Sequence, residues 1–229
     1  SGQPCLVSTQ ASEGLMHNRA VEIPAASAIL PGDLSVPDRP SGLVLFAHGS
    51  GSSRLSPRNR KVAAQLNSAG LATLLLDLLT REEEQNRANV FDVHLLAARL
   101  IAATEWSRRR SRTGAVPVGY FGASTGAAAA LLAAAELGDT VSAVVSRGGR
   151  PDLASDALWR VRAPTLLIVG GADREVLALN EAAASRLRCR HEIAVVPGAT
   201  HLFAEPGALE RVGQLAAAWF SDAVSDRAA

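Results

Sequence analysis

Five consecutive residues, Gly122-Ala123-Ser124-Thr125-Gly126, constrain this chain more than any others. They directly follow a short apolar run, Val118 to Phe121, and open an alanine-rich stretch of helical spacing that runs to Leu137. A serine between a strand and a helix, with glycine two positions before and two after, occupies a sharp turn that has no room for bulky neighbours. Its hydroxyl is then presented above a sheet, at a helix N-terminus whose free N–H groups and dipole favour a negative oxygen. The competing possibility is structural: the glycines allow close packing and Ser124 caps the helix, serine being a favoured N-cap residue.

The surrounding pattern supports a sheet with helices on both faces. From Leu43 onward, Leu43 to Ala47, Leu71 to Leu76, Val118 to Phe121, Val141 to Val145, Thr165 to Val169 and Ile193 to Val196 have the length and apolarity of buried strands. Arg58 to Ala69, Val90 to Arg108, Ser124 to Leu137, Val176 to Leu187 and Ala208 to Ala223 carry apolar or alanine-rich faces at three- and four-residue steps. In the second of these, Val93, Leu96, Ala97, Leu100 and Thr104 form the buried stripe, with Arg99 and Glu105 off it. This alternation predicts an α/β fold with a mostly parallel sheet. Ala20 to Ile23 and Ala28 to Val36 add two antiparallel strands at one edge, making about eight. Residues 1–229 are expected to form a single domain without a cap, with 1–18 an irregular N-terminal segment. The connections Leu78 to Asn89 and Ser146 to Leu158 are the longest after Leu43 and follow strands, so they are expected to line a ligand crevice.

Composition narrows the function. With 48% hydrophobic and 20% charged residues, the chain can bury a core and is not intrinsically disordered. Its 23 basic and 22 acidic residues give a formal charge of +1, without the excess that drives binding to nucleic acid or anionic lipid. The longest run free of charged or strongly polar residues, Gly126 to Ala135, is half of the ~20 residues a spanning helix needs, so no membrane insertion is expected. Cys5 and Cys189 lack Cys-x-x-Cys spacing, which excludes a zinc ribbon or thioredoxin-type site. A cytoplasmic protein is expected, although a chain that starts at Ser1 leaves a removed leader open.

A serine nucleophile needs a general base, and the base an orienting acid. Of the histidines, His94 lies in an amphipathic helix, His191 begins the last strand and His17 lies in the N-terminal segment. His201 occupies the loop Pro197-Gly198-Ala199-Thr200-His201-Leu202-Phe203 beyond the last strand, where a side chain can lean over the strand ends. Asp173 follows the strand Thr165 to Val169 in Gly170-Gly171-Ala172-Asp173, and Asp77 and Asp152 are its competitors. The order Ser124, Asp173, His201 matches a nucleophile elbow followed by acid and base.

With these residues in place, the stretch from Leu43 to Phe220 resembles the α/β-hydrolase superfamily, and its lidless core resembles the dienelactone-hydrolase-like subgroup, here with a serine nucleophile where dienelactone hydrolases use cysteine. The resemblance implies that the loop His48-Gly49-Ser50-Gly51-Ser52-Ser53 supplies an oxyanion N–H, by position that of Ser50, beside the Thr125 N–H. It also implies carboxylic-ester hydrolysis through an acyl-enzyme, without metal or organic cofactor. Thioesterase, lactonase or acyltransferase chemistry on the same triad stays open, as does a ligand-binding module without turnover. A dinucleotide-binding reading of Gly49-Ser50-Gly51 with Asp77 fails where Arg54 stands at the third glycine.

For the pocket, a small-molecule ester is the expected partner, with the oligomeric state, monomer or homo-oligomer, unspecified. The absence of a lid-sized insertion predicts an open site for small or short-chain acyl groups, with Leu78, Leu79 and Phe203 either its apolar wall or ordinary core. Arg147, in Ser146-Arg147-Gly148-Gly149-Arg150, is the candidate grip for a substrate carboxylate. Glu82, Glu83 and Glu84 are expected to be solvated.

Overall fold

The computed structural model describes residues 15–228. Eight strands form one sheet in the order β1-β2-β4-β3-β5-β6-β7-β8. The strands are β1 (Met16–Ala25), β2 (Ala28–Pro37), β3 (Leu43–Ala47), β4 (Ala72–Leu76), β5 (Val118–Ala123), β6 (Val141–Arg147), β7 (Thr165–Gly170) and β8 (His191–Val196). The β1–β2 hairpin is antiparallel and joins β4 antiparallel, whereas every pairing from β4 to β8 is parallel. The helices are α1 (Pro57–Ser68), α2 (Arg81–Glu84), α3 (Arg87–Phe91), α4 (Val93–Arg108), α5 (Thr125–Leu137), α6 (Arg174–Ala184) and α7 (Ala208–Ala228). Among the described residues, no helix is long and apolar enough to cross a membrane.

The period of two along each strand separates two cores. Leu45, Leu74, Tyr120, Val144 and Leu167 point to one face, where they pack with Leu96 and Leu100 of α4, Leu131 of α5 and Ala183 of α6. Val44, Phe46, Leu75, Phe121, Val145 and Ile168 point to the other, against Val62 and Leu66 of α1 and Val212 and Phe220 of α7. Each central strand is therefore buried on both sides, which is why its sequence is an unbroken apolar run rather than an alternation.

Several expectations need correction. The N-terminal segment is not irregular throughout: β1 begins at Met16, where pairing with Pro37 in β2 starts a ladder of ten residue pairs. Residues 1–14, and with them Cys5, lie outside the described residues. The stretch after β4 holds two short helices, α2 and α3, too brief for a periodicity to register. Arg99, although off the apolar stripe of α4, is buried: its Nη1 donates to Ala25 O in the hairpin and its Nη2 to Glu83 Oε1 at 2.6 Å. Glu83 is consequently an ion-pair partner, and it also closes a capping box with Thr80.

Candidate active site

Ser124 lies between β5 and α5 with φ +51° and ψ −123°, a conformation rare for a residue with a side chain. Close approaches account for the glycines around it. A Cβ on Gly122 would overlap Ala127, and one on Gly126 would overlap the carbonyls of Ala47 and His48 at the end of β3. The strained turn is tied down by its neighbours, with Ser124 N donating to Arg147 O at 3.3 Å and Ser124 O accepting from Ala127 N at 3.0 Å and Arg150 N at 3.1 Å. Although Ser124 stands at the N-cap of α5, its side chain makes no cap hydrogen bond. A capping role for this serine therefore fails.

The segment that follows β6 reaches His201. A Cβ on Gly148, which follows Arg147, would stand 3.2 Å from His201 O and 3.5 Å from His201 Nδ1. His201 Nδ1 is 2.7 Å from Asp173 Oδ2, so the ring N–H faces the carboxylate and Nε2 is left as the free acceptor. Asp173 stands at the N-cap position of α6 but makes no cap bond, its carboxylate being turned to the histidine. The Asp173 side chain is 15% exposed and that of His201 41%, a carboxylate held inside and an imidazole open to solvent.

The two rival carboxylates are engaged elsewhere. Asp77 accepts from Arg54 N at 2.6 Å and from Arg54 Nη1 at 2.5 Å, which anchors the loop after β3. Asp152 forms a two-pronged pair with Arg150, both bonds at 2.8 Å. The positive charge of Arg150 is reinforced by that hydrogen bonding, which raises its pKa.

The loop after β3 passes directly beside Ser124, and a Cβ on Gly49 would be 2.9 Å from Ser124 Cβ. Ser50 N is thereby brought to the elbow, where it donates to Thr125 Oγ1 at 3.0 Å. As the first residue of α5, Thr125 has no intrahelical acceptor for its own N–H. His48 was not anticipated as a positioning residue. Its Nδ1 lies 3.0 Å from Gly49 O and its Nε2 accepts from Leu78 N at 3.1 Å, which ties the loop after β3 to the loop after β4. Its place right after a buried strand, before a glycine, was the available signal.

The expected apolar wall is drawn inward. Leu78 and Leu79 belong to the core on the α4 face and Phe203 to the core on the α1 face, all three almost wholly buried, which is the core placement of the two expected for them. Phe203 holds a positive φ of +53° two residues after His201. Arg147 is also buried, its guanidinium over the Phe203 ring at 5.9 Å. Among the described residues, no group of three or more His, Cys, Asp or Glu side chains is placed to hold a metal ion.

A mostly parallel sheet wrapped by helices, with a strained serine after β5, a carboxylate after β7 and a histidine after β8, defines an α/β hydrolase. The sequence profile of the dienelactone hydrolase family matches residues 32–224, and the chain belongs to that family of hydrolases. It is similar to the crystal structure of a dienelactone hydrolase from Anabaena variabilis, with 55% identity and a TM-score of 0.88 over 90% of this chain and 98% of that one. Est1E from Butyrivibrio proteoclasticus shares the fold at 16% identity, with a TM-score of 0.78 over 90% of this chain and 99% of its own. Two curated proteins from Mycobacterium tuberculosis strains, each named "Putative phosphoribosyl transferase", are 58% identical over 212 residues. That match takes in 93% of this chain but 48% of theirs, so the chain spans about half the length of these relatives.

Proposed function

We propose that the protein is a serine esterase that cleaves small or short-chain carboxylic esters. Ser124 attacks the ester carbonyl while His201 Nε2 takes its proton, and Asp173 holds the imidazole and stabilises its protonated form. The tetrahedral oxyanion is bound by the Thr125 and Ser50 N–H groups, the latter exchanging its resting bond to Thr125 Oγ1 for the substrate oxygen. His201 then protonates the leaving alcohol, water attacks the acyl-enzyme with His201 again as base, and the acid departs. No metal or organic cofactor takes part in these steps.

One observation carries this reading. His201 is oriented by Asp173 at 2.7 Å, and Ser124 is held in strained geometry with its hydroxyl spared from capping. The phosphoribosyl transferase name belongs to relatives of which this chain spans 48%, and we assign hydrolysis to the segment shared with them. The free thiol of Cys189 suits a reducing, cytoplasmic setting.

The test pairs turnover of p-nitrophenyl acetate and butyrate with intact mass after fluorophosphonate treatment, for wild type and Ser124→Ala. Wild type is expected to turn over and gain one adduct, the variant to do neither. A folded wild type that neither turns over nor labels would overturn the proposal.

A further inference from the structure

Packing alone would put leucine or alanine where α6 carries Asn180. The residue is wholly buried in the interior of the helix, where asparagine is a poorer helix former than either. Its Oδ1 is buried without a hydrogen-bond partner, a cost that an apolar side chain would not carry. Its Nδ2 donates to two backbone carbonyls: Val176 O at 2.8 Å, one turn back in the same helix, and Gly149 O at 3.0 Å, in the segment after β6. The second of these bonds leaves the helix and leads toward Ser124.

The Gly149 carbonyl and the Arg150 N–H are the two ends of one peptide unit, planar and with its C=O and N–H pointing in opposite directions. Arg150 N donates to Ser124 O at 3.1 Å. Ser124 O in turn shares a rigid peptide unit with the Thr125 N–H, the donor that the proposed mechanism aims at the oxyanion. The Asn180 amide, the 149–150 peptide and the 124–125 peptide thus form one hydrogen-bonded chain, and the direction of its last N–H is set from the far side. Aligned units of this kind polarise one another, which strengthens the terminal donor. Ser124 O also accepts from Ala127 N at 3.0 Å, but that bond lies within the elbow and α5, whereas the Arg150 bond ties the elbow to a separate segment. The arrangement has little slack. A Cβ on Gly149 would overlap Ser146 Oγ and Ala127 Cβ, so this segment is pressed against the first turn of α5.

We propose that Asn180 is a positioning residue for the oxyanion hole: by holding Gly149 O it fixes the two peptides that aim the Thr125 N–H. The role rests on the esterase reading, because an oxyanion forms there only if Ser124 attacks a carbonyl. Without the Asn180 donor, Gly149 O is left buried and unpaired. Its peptide then gains by rotating toward another donor, and that rotation draws Arg150 N away from Ser124 O.

The test uses Asn180→Leu, which keeps the approximate size of the side chain and removes the donor, and Asn180→Ala, which has the best helix propensity and serves should the leucine variant fail to fold. For wild type and both variants, kcat and KM for p-nitrophenyl acetate, the rate of fluorophosphonate labelling, the pH–rate profile and the urea midpoint are measured. In the variants kcat and the labelling rate are expected to fall together by about tenfold. That is less than the loss of about 10²–10³-fold on removing an oxyanion donor outright, since the Thr125 N–H is displaced rather than deleted. KM should stay within about twofold, as for a contact made in the transition state. The acid limb of the pH–rate profile should not move, because Asn180 has no hydrogen bond to His201 or Asp173.

A lowered urea midpoint with kcat and labelling rate within about twofold of wild type would overturn the proposal and leave Asn180 a packing residue. So would a loss of rate accompanied by a shift of the acid limb: Asp173 stands at the N-cap position of α6, and a displaced helix would then act through the carboxylate instead. A folded wild type that neither turns over nor labels would overturn the esterase reading and this role together, a result distinct from both.

Discussion

The backbone N–H of Ser50 donates to the hydroxyl of Thr125 at 3.0 Å, across 75 residues of sequence. Both were expected to contribute N–H groups to an oxyanion hole, yet in the resting structure one is already occupied by the other's side chain. Thr125→Val keeps the size of the side chain and the helix N–H but removes this acceptor. It is expected to cost about 0.5–1.5 kcal/mol of stability, the net worth of a hydrogen bond, because solvent can reach Ser50. Ester turnover should stay within about tenfold, since the Ser50 N–H no longer has to be released. Urea titration and p-nitrophenyl acetate kinetics check the two halves.

Three aspartates follow strands near the elbow, and their partners predict how differently they behave. Asp173→Asn removes the charge that holds His201 in its working tautomer and should lower kcat by about 10³–10⁴-fold. Asp77→Asn and Asp152→Asn disturb arginine pairs instead and should lower it by less than about tenfold. Steady-state kinetics of the three variants under one condition suffice.

Glu83→Gln should be among the more damaging substitutions in the stretch between β4 and α4. It leaves Arg99, whose side chain is 6% exposed, without its carboxylate under the β1–β2 hairpin. A loss of about 3 kcal/mol is expected, the low end for removing one partner of a buried pair, because Glu83 itself is partly exposed. Equilibrium unfolding measures it.

Arg147 makes a prediction about alkaline pH. Its folded pKa of about 10 lies below the ordinary arginine value, so between the two the unfolded chain holds a proton that the folded chain has released. Stability rises with pH wherever the unfolded state binds more protons. The penalty for burying this charge is thus present at neutral pH and relieved as pH climbs through about 10. Wild type should gain stability relative to Arg147→Met between pH 9 and 11, measured as the difference between paired urea midpoints.

Much of this was legible because the strands from β3 to β8 are buried on both faces, and apolar runs as short as Val118 to Phe121 suit a buried strand better than a helix. Once those strands were placed, Ser124, Asp173 and His201 stood out as polar residues just past strand ends. What escaped notice depends on contacts distant in sequence. The burial of Arg99 needs the Ala25 carbonyl, 74 residues away, and the role of His48 needs the Leu78 N–H, 30 residues on. Helical periodicity reports on one face of one helix and is blind to both. Leu78 and Leu79 stayed open between pocket and core for a related reason: an apolar residue after a strand can face either, and His48 ties this segment down onto the core.

The position of β8 has one more consequence. Among the described residues it is the last strand of the sheet, bonded along one side only, to β7, with Val195 well exposed. His201, the proposed base, follows this edge strand, whereas Ser124, the proposed nucleophile, follows a strand flanked on both sides. Edge elements open before the body of a sheet does. Catalysis is therefore more fragile than the fold: on gentle heating, turnover should vanish while most of the circular dichroism of the sheet persists, and should return on cooling as β8 zips back onto β7.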